Sequence, residues 1–125
     1  MLKNLESSGI LMTESDNMLE KSIPRISRFD KAEICGYSSI VHNLHGDPLF
    51  RAPEVLLGKH YGFRADSWSF GVIMYQLLAG RLPFSKEEEI LDFVNIDELS
   101  KYIISRGHHQ QSVDLISKLM QREPS

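Results

Sequence analysis

The sequence predicts a mainly α-helical chain with a short β-hairpin near its N-terminus. Three observations carry this expectation. From Phe70 to Ala79 the stretch 66–79 is apolar on nearly every face, and a helix apolar all round belongs in the centre of a domain. Further on, Val113, Leu115, Ile116, Leu119 and Met120 recur at the spacing of an amphipathic helix. Near the start, the short apolar runs Ile10-Leu11-Met12 and Ile23-Pro24-Arg25-Ile26 flank the polar segment Thr13 to Ser22. Two such runs with a polar connector predict a hairpin with a long loop.

Local signals place the remaining elements. Asp66 is a candidate N-cap for the central helix and Gly80 a candidate C-cap. Before it, residues 31–64 carry Gly36, Gly46, Gly58 and Gly62 with Pro48 and Pro53, a composition that predicts a long loop. A long loop inside a compact domain is usually functional or disordered. After it, Ser85 and Glu88 fit a capping box, and Ile90, Phe93 and Val94 sit at helical spacing. The last helical pattern stops at Glu123-Pro124, and no internal repeat is visible.

Composition narrows the class. At 125 residues the chain is one domain at most, and 42% hydrophobic with 25% charged residues is an ordinary globular mix. Fourteen basic against seventeen acidic residues give a net charge of −3. That excludes a nucleic-acid binder as the leading reading, because phosphate binding needs a basic surface. A single cysteine, Cys35, can form neither an intrachain disulfide nor a cysteine-rich zinc site. Lys3, Asn4, Glu6, Ser7 and Ser8 interrupt any signal-peptide core, and the apolar run 70–80 is about half of the roughly 20 residues a bilayer span needs. The expectation is an intracellular protein, cytoplasmic or nuclear, without a membrane partner.

The residues then match a known pattern. Gly46-Asp47-Pro48-Leu49-Phe50-Arg51-Ala52-Pro53-Glu54 resembles the end of a protein-kinase activation segment. Asp66-Ser67-Trp68-Ser69-Phe70-Gly71 resembles the start of the kinase central helix, and Gly80-Arg81-Leu82-Pro83-Phe84 the turn that follows it. Asp114-Leu115-Ile116 through Pro124 is similar to the last helix of that family. The order and spacing resemble serine/threonine kinases, nearest the calmodulin-dependent and checkpoint branch. The resemblance implies a partial protein-kinase-like large (C-terminal) lobe over 1–125. Within it, residues 1–30 hold the hairpin and a degenerate metal-site region, 31–54 the activation segment, and 65–125 the helical lobe.

The resemblance also implies what is missing. The glycine-rich loop and lysine strand that cover ATP in the family have no counterpart here. Where the family has its metal-binding Asp-Phe-Gly, this chain has Arg28-Phe29-Asp30. Arg28 places a permanent cation where Mg²⁺ would bind, and Asp30 stands out of register to replace the lost aspartate. With Met1-Leu2-Lys3 aligned to the end of the family's catalytic loop, Ile10-Leu11-Met12 to the strand that follows, and an insertion near Leu5–Ser7 between them, the base falls on Met1 and the second metal ligand on Gly9. Asp47 replaces the threonine that ties the activation segment to the catalytic base.

The same resemblance gives Asp66, Trp68 and Gly71 structural roles, together with Gly46, Pro48, Ala52, Pro53 and Glu54. Leu49, Phe50 and Arg51 become a peptide-binding loop, and Ser38 and Ser39 candidate phosphorylation sites. His42 with His45, and His108-His109, do not make good chelating pairs, so no metal site is expected. Glu87-Glu88-Glu89 reads as a solvated first helical turn, with a basic-peptide dock as the sharper alternative. The expected function is a catalytically inactive, pseudokinase-type chain without ATP or Mg of its own, acting through protein partners. The alternatives are a piece of an active serine/threonine kinase and a nucleotide-free scaffold built on the peptide-binding face.

Overall fold

The computed structural model describes residues 6–12, 23–27, 29, 32, 46–59 and 62–122. Strand β1 (Ile10–Met12) pairs antiparallel with β2 (Pro24–Ile26), with Ile10 opposite Ile26 and Met12 opposite Pro24. The expected hairpin is therefore present. Pro24, which has no N–H to give a ladder, begins its strand. Below the hairpin the pairing continues as Ser27 N–H donates to the Gly9 carbonyl at 2.8 Å. Within the segment expected to be irregular, Pro48–Phe50 forms a 3-10 turn and Pro53–Leu56 a short helix, α1. Each starts on a proline, whose fixed φ suits the first helical position.

Helix α2 (Phe63–Ala79) is the 17-residue centre of the fold. Its start differs from the expectation: Gly62, not Asp66, occupies the N-cap, and Asp66 lies in the first turn. A carboxylate there still meets the positive end of the peptide dipoles. Its end is as expected, with Gly80 at φ 72° and its N–H bonded to the Gln76 carbonyl at 2.9 Å. A side chain at that φ would be strained.

The central helix is not buried all round. Ala65, Trp68, Val72, Tyr75 and Ala79 form its buried face, and Gly71 and Ile73 are buried beside it. Phe63, Phe70 and Leu77 lie seven residues apart on the opposite side and are exposed, Leu77 to 71%. At 3.6 residues per turn, residues seven apart share a face. The expectation that an all-round apolar helix is buried on every face is thus corrected: Phe70 and Trp68 point to opposite sides of the helix.

Helices α3 (Glu87–Asp92), α4 (Asp97–Ser105) and α5 (Gln110–Leu119) complete the order. The Ser85 box closes on Glu89 rather than Glu88: Ser85 N–H and Oγ donate to the Glu89 carboxylate at 2.7 and 2.9 Å. Lys86 takes the N-cap position, which makes Glu89 the third helical residue, the place from which a glutamate reaches back. Phe93 is extended, so α3 ends before Val94, which is 81% exposed. In α5, Val113 and Ile116 are buried, Met120 just beyond it is buried too, and Leu115 is exposed.

The core gathers around α2. Trp68 stacks on Phe84 at 6.3 Å between centroids and meets Phe93 edge-on at 5.6 Å. Ile73, Ile90, Ile103 and Ile116 fill the space with almost no exposure. Helix α5 crosses α2 at Gly71, where a Cβ would lie 2.5 Å from Met120 Cγ and 3.0 Å from Leu119 Cβ. Only a glycine admits that approach. Among the described residues no helix is long and apolar enough to cross a membrane.

Candidate functional site

The segment 46–55 is held from several sides. Gly46 has φ 82°, a left-handed conformation that favours glycine. Asp47 caps the 3-10 turn, its carboxylate accepting from Leu49 N–H at 2.9 Å. The Arg51 guanidinium returns to the Gly46 carbonyl at 2.8 Å and closes the loop on itself. Ser69 Oγ, from α2, donates to the Phe50 carbonyl at 2.7 Å. Phe50, Ala52, Pro53, Glu54 and Val55 are buried. Of the three residues expected to form a peptide-binding loop, Phe50 is an anchor in the core and Arg51 a brace. Leu49 alone lines an open surface.

That surface is a groove of about 440 Å³ between the turn and the start of α3, lined by Asp47, Pro48, Leu49, Ser85, Lys86, Glu87 and Glu88. Three carboxylates against one lysine make it acidic. Beside it, the two donors from Ser85, backbone N–H first and hydroxyl second, hold the Glu89 carboxyl below the usual carboxylate range. The acidic run 87–89 therefore divides: Glu89 staples its own helix, while Glu87 and Glu88 face the groove.

The N-terminal turn reaches the same region. Glu6 accepts the Asp47 backbone N–H at 3.0 Å through one carboxylate oxygen and the Ser8 hydroxyl at 2.6 Å through the other. Next to it, the Gly9 carbonyl accepts both the N–H and the hydroxyl of Ser27, at 2.8 and 3.0 Å. Gly9 is where the motif alignment is expected to place a metal ligand, and it offers no side chain. A Cβ built on it would sit 3.8 Å from the Ser27 carbonyl oxygen, ordinary contact. The backbone would accept a ligand-bearing residue there, so the lack of one lies in the residue type.

Arg28, Asp30, Ser38, Ser39, Cys35, His42 and His45 lie outside the described residues. Phe29, between Arg28 and Asp30, is 61% exposed. His108 Nε2 lies 2.7 Å from the Leu78 carbonyl and so caps the end of α2. His109 is the N-cap residue of α5. Among the described residues no group of three or more histidine, cysteine, aspartate or glutamate side chains could hold a metal ion.

Sequence reasoning missed Glu6 and underrated Ser69. Ser69 stood inside the Asp-x-Trp-Ser-x-Gly pattern, and its bond to Phe50 gives the serine a physical reason. Glu6 had no local signal, because its partner Asp47 is 41 residues away in the chain.

Comparison with known proteins agrees with this geometry. Residues 4–125 match the protein kinase domain family. The chain is 32% identical over 127 residues to serine/threonine-protein kinase ULK3 of Xenopus laevis, covering 97% of this chain and 25% of that protein. It is 34% identical over 120 residues to serine/threonine-protein kinase D2 of Rattus norvegicus, covering 94% of this chain and 13% of the relative. Over 90 residues, 70% of this chain and 8% of the relative, it is 42% identical to protein kinase C of Aspergillus fumigatus. The chain thus spans a quarter or less of the length of these relatives. Their names do not single out the calmodulin-dependent and checkpoint branch. With the ordered motifs, the central helix and the family match in agreement, the chain belongs to the protein kinase domain family.

Proposed function

We propose that this chain is a catalytically inactive, pseudokinase-type large lobe that works by binding protein. The observation that carries the reading is the degenerate metal site. Gly9 has no side chain to offer, its carbonyl is engaged by Ser27, and Arg28 follows Ser27 directly. Phosphoryl transfer depends on positioning and on metal-borne charge stabilisation, so losing both ligand positions removes the chemistry and leaves the scaffold. The binding face is the acidic groove beside Leu49, whose charge suits a basic peptide segment. An intracellular setting, cytoplasmic or nuclear, fits such a partner. ATP is at most a weak ligand on this reading, since Arg28 stands where the family pattern has its metal-binding aspartate.

The test is transfer from radiolabelled ATP to generic basic substrates by the purified chain, with Mg²⁺ present. The expected result is no turnover above a mock preparation. Turnover that disappears in Asp30→Ala would overturn the reading.

A second reading has its own support. The relatives named above are serine/threonine kinases and protein kinase C, each at least four times longer than the matched region. On that reading this chain is a piece of an ATP-dependent serine/threonine kinase whose ATP-covering lobe lies elsewhere in the gene. Sequencing the transcript upstream of Met1 separates the two. An open frame carrying a glycine-rich loop and a lysine strand favours the longer kinase.

A further inference from the structure

We infer that Glu6 is a positioning residue of the groove: its carboxylate clamps the N-terminal turn to the Asp47 backbone and so fixes the wall that Asp47, Pro48 and Leu49 present. The inference rests on the binding reading above for what the groove does, but not for the clamp itself.

The geometry is specific. One Glu6 oxygen accepts the Asp47 N–H at 3.0 Å and the other accepts the Ser8 hydroxyl at 2.6 Å. Ser8 is two residues from Glu6 and orients the carboxylate, whereas Asp47 is 41 residues away. Within the turn the Asp47 carboxylate and carbonyl accept from the Leu49 and Phe50 N–H groups, while its own N–H is given to Glu6. Charge-assisted bonds from a backbone N–H to a carboxylate are the stronger kind. Asp47 is therefore fixed at both ends, by Glu6 at its amide and by Leu49 at its side chain. In the family pattern a threonine side chain at this position makes the tie. Here the side chain is used within the turn and the tie comes from a different residue, onto the backbone.

The clamp also shapes charge. It brings the Glu6 carboxylate onto the amide of Asp47, which lines the groove with Glu87 and Glu88, so it adds to the negative field near the groove that a cationic peptide would meet.

Amide hydrogen exchange by NMR on the whole chain tests the clamp, using Glu6→Ala, Glu6→Gln and, as a surface control, Glu98→Ala. The expected result is that Glu6→Ala speeds exchange of the Asp47 amide about tenfold while amides of α2 and α5 keep their rates. Glu6→Gln, which keeps an acceptor oxygen, stays within about twofold of wild type, and Glu98→Ala leaves Asp47 unchanged. An unchanged Asp47 rate in Glu6→Ala overturns the clamp. So does an equal acceleration throughout α2 and α5, which would make Glu6 merely structural. A fluorescein-labelled heptapeptide with three arginines, titrated by anisotropy, tests the groove. Weaker binding to Glu6→Ala, restored in Glu6→Gln, supports the positioning role. Equal binding to all the proteins overturns it. If wild type does not bind the peptide while the Asp47 amide responds to Glu6→Ala, the clamp stands and the binding reading falls.

Discussion

Trp68 is 1% exposed and shares an aromatic cluster with Phe84 and Phe93, so truncating it opens a cavity that no neighbour can fill. Trp68→Ala should cost about 3–5 kcal/mol, a large part of the 5–15 kcal/mol that usually holds a domain together. Leu77, on the other side of the same helix and 71% exposed, gives the contrast. Leu77→Ser should change stability by no more than about 0.5 kcal/mol. Paired urea titrations check both, and a Trp68→Ala curve that overlays wild type would refute the packing described. Gly71 is a third case. Alanine there gains about 1 kcal/mol of helix propensity but drives its Cβ into Met120 and Leu119, and overpacking of this kind costs about 1–3 kcal/mol. The Leu119 Cβ is fixed to its backbone, so the clash should prevail. Gly71→Ala is expected to lower the melting temperature, and a rise would show that α5 can shift away.

At the scale of the element, α3 depends on the bonds from Ser85 to Glu89. These lower the Glu89 carboxyl pKa in the folded state. A carboxyl lowered on folding stabilises the fold at pH above its unfolded value. That contribution is lost as the pH falls through the acid range below it. The melting difference between wild type and Glu89→Gln should therefore be present at pH 7 and shrink towards about pH 3. A difference that does not vary with pH would mean that Glu89 acts through shape rather than charge. Opposite α3, Ser69 ties α2 to the Phe50 carbonyl and makes the groove a junction of three elements rather than a property of the loop.

For the whole molecule, the proposed reading turns on the nucleotide. A thermal-shift titration with ATP, with and without Mg²⁺, should give no shift in either condition. A shift only without the metal would point to the Arg28 guanidinium as a phosphate contact and should vanish in Arg28→Ala. A larger shift with Mg²⁺ would require a metal ligand among residues other than Gly9. The three outcomes are distinct because a ligand that binds the folded state raises its stability with the logarithm of concentration over Kd, and one that does not bind leaves it unchanged.

By itself the sequence determined the family, the hairpin, and the central helix with its Gly80 end. Each of these is local, written in a run of residues or in a period. What depends on which side a residue faces was decided only by the tertiary structure. Phe70 is as apolar as Trp68, and only the packing of α4, α5 and the Pro48–Phe50 turn against α2 sends the first to the surface and the second to the core. Ser85 reaches Glu89 instead of Glu88 because α3 begins at Glu87, a boundary that a run of three glutamates does not reveal. Phe50 was read as part of a peptide-binding surface, yet Ser69 and the core draw it inward. The bond between Glu6 and Asp47 spans 41 residues. No period or spacing encodes a contact of that range, which exists only once the turn, the hairpin and the groove are folded together.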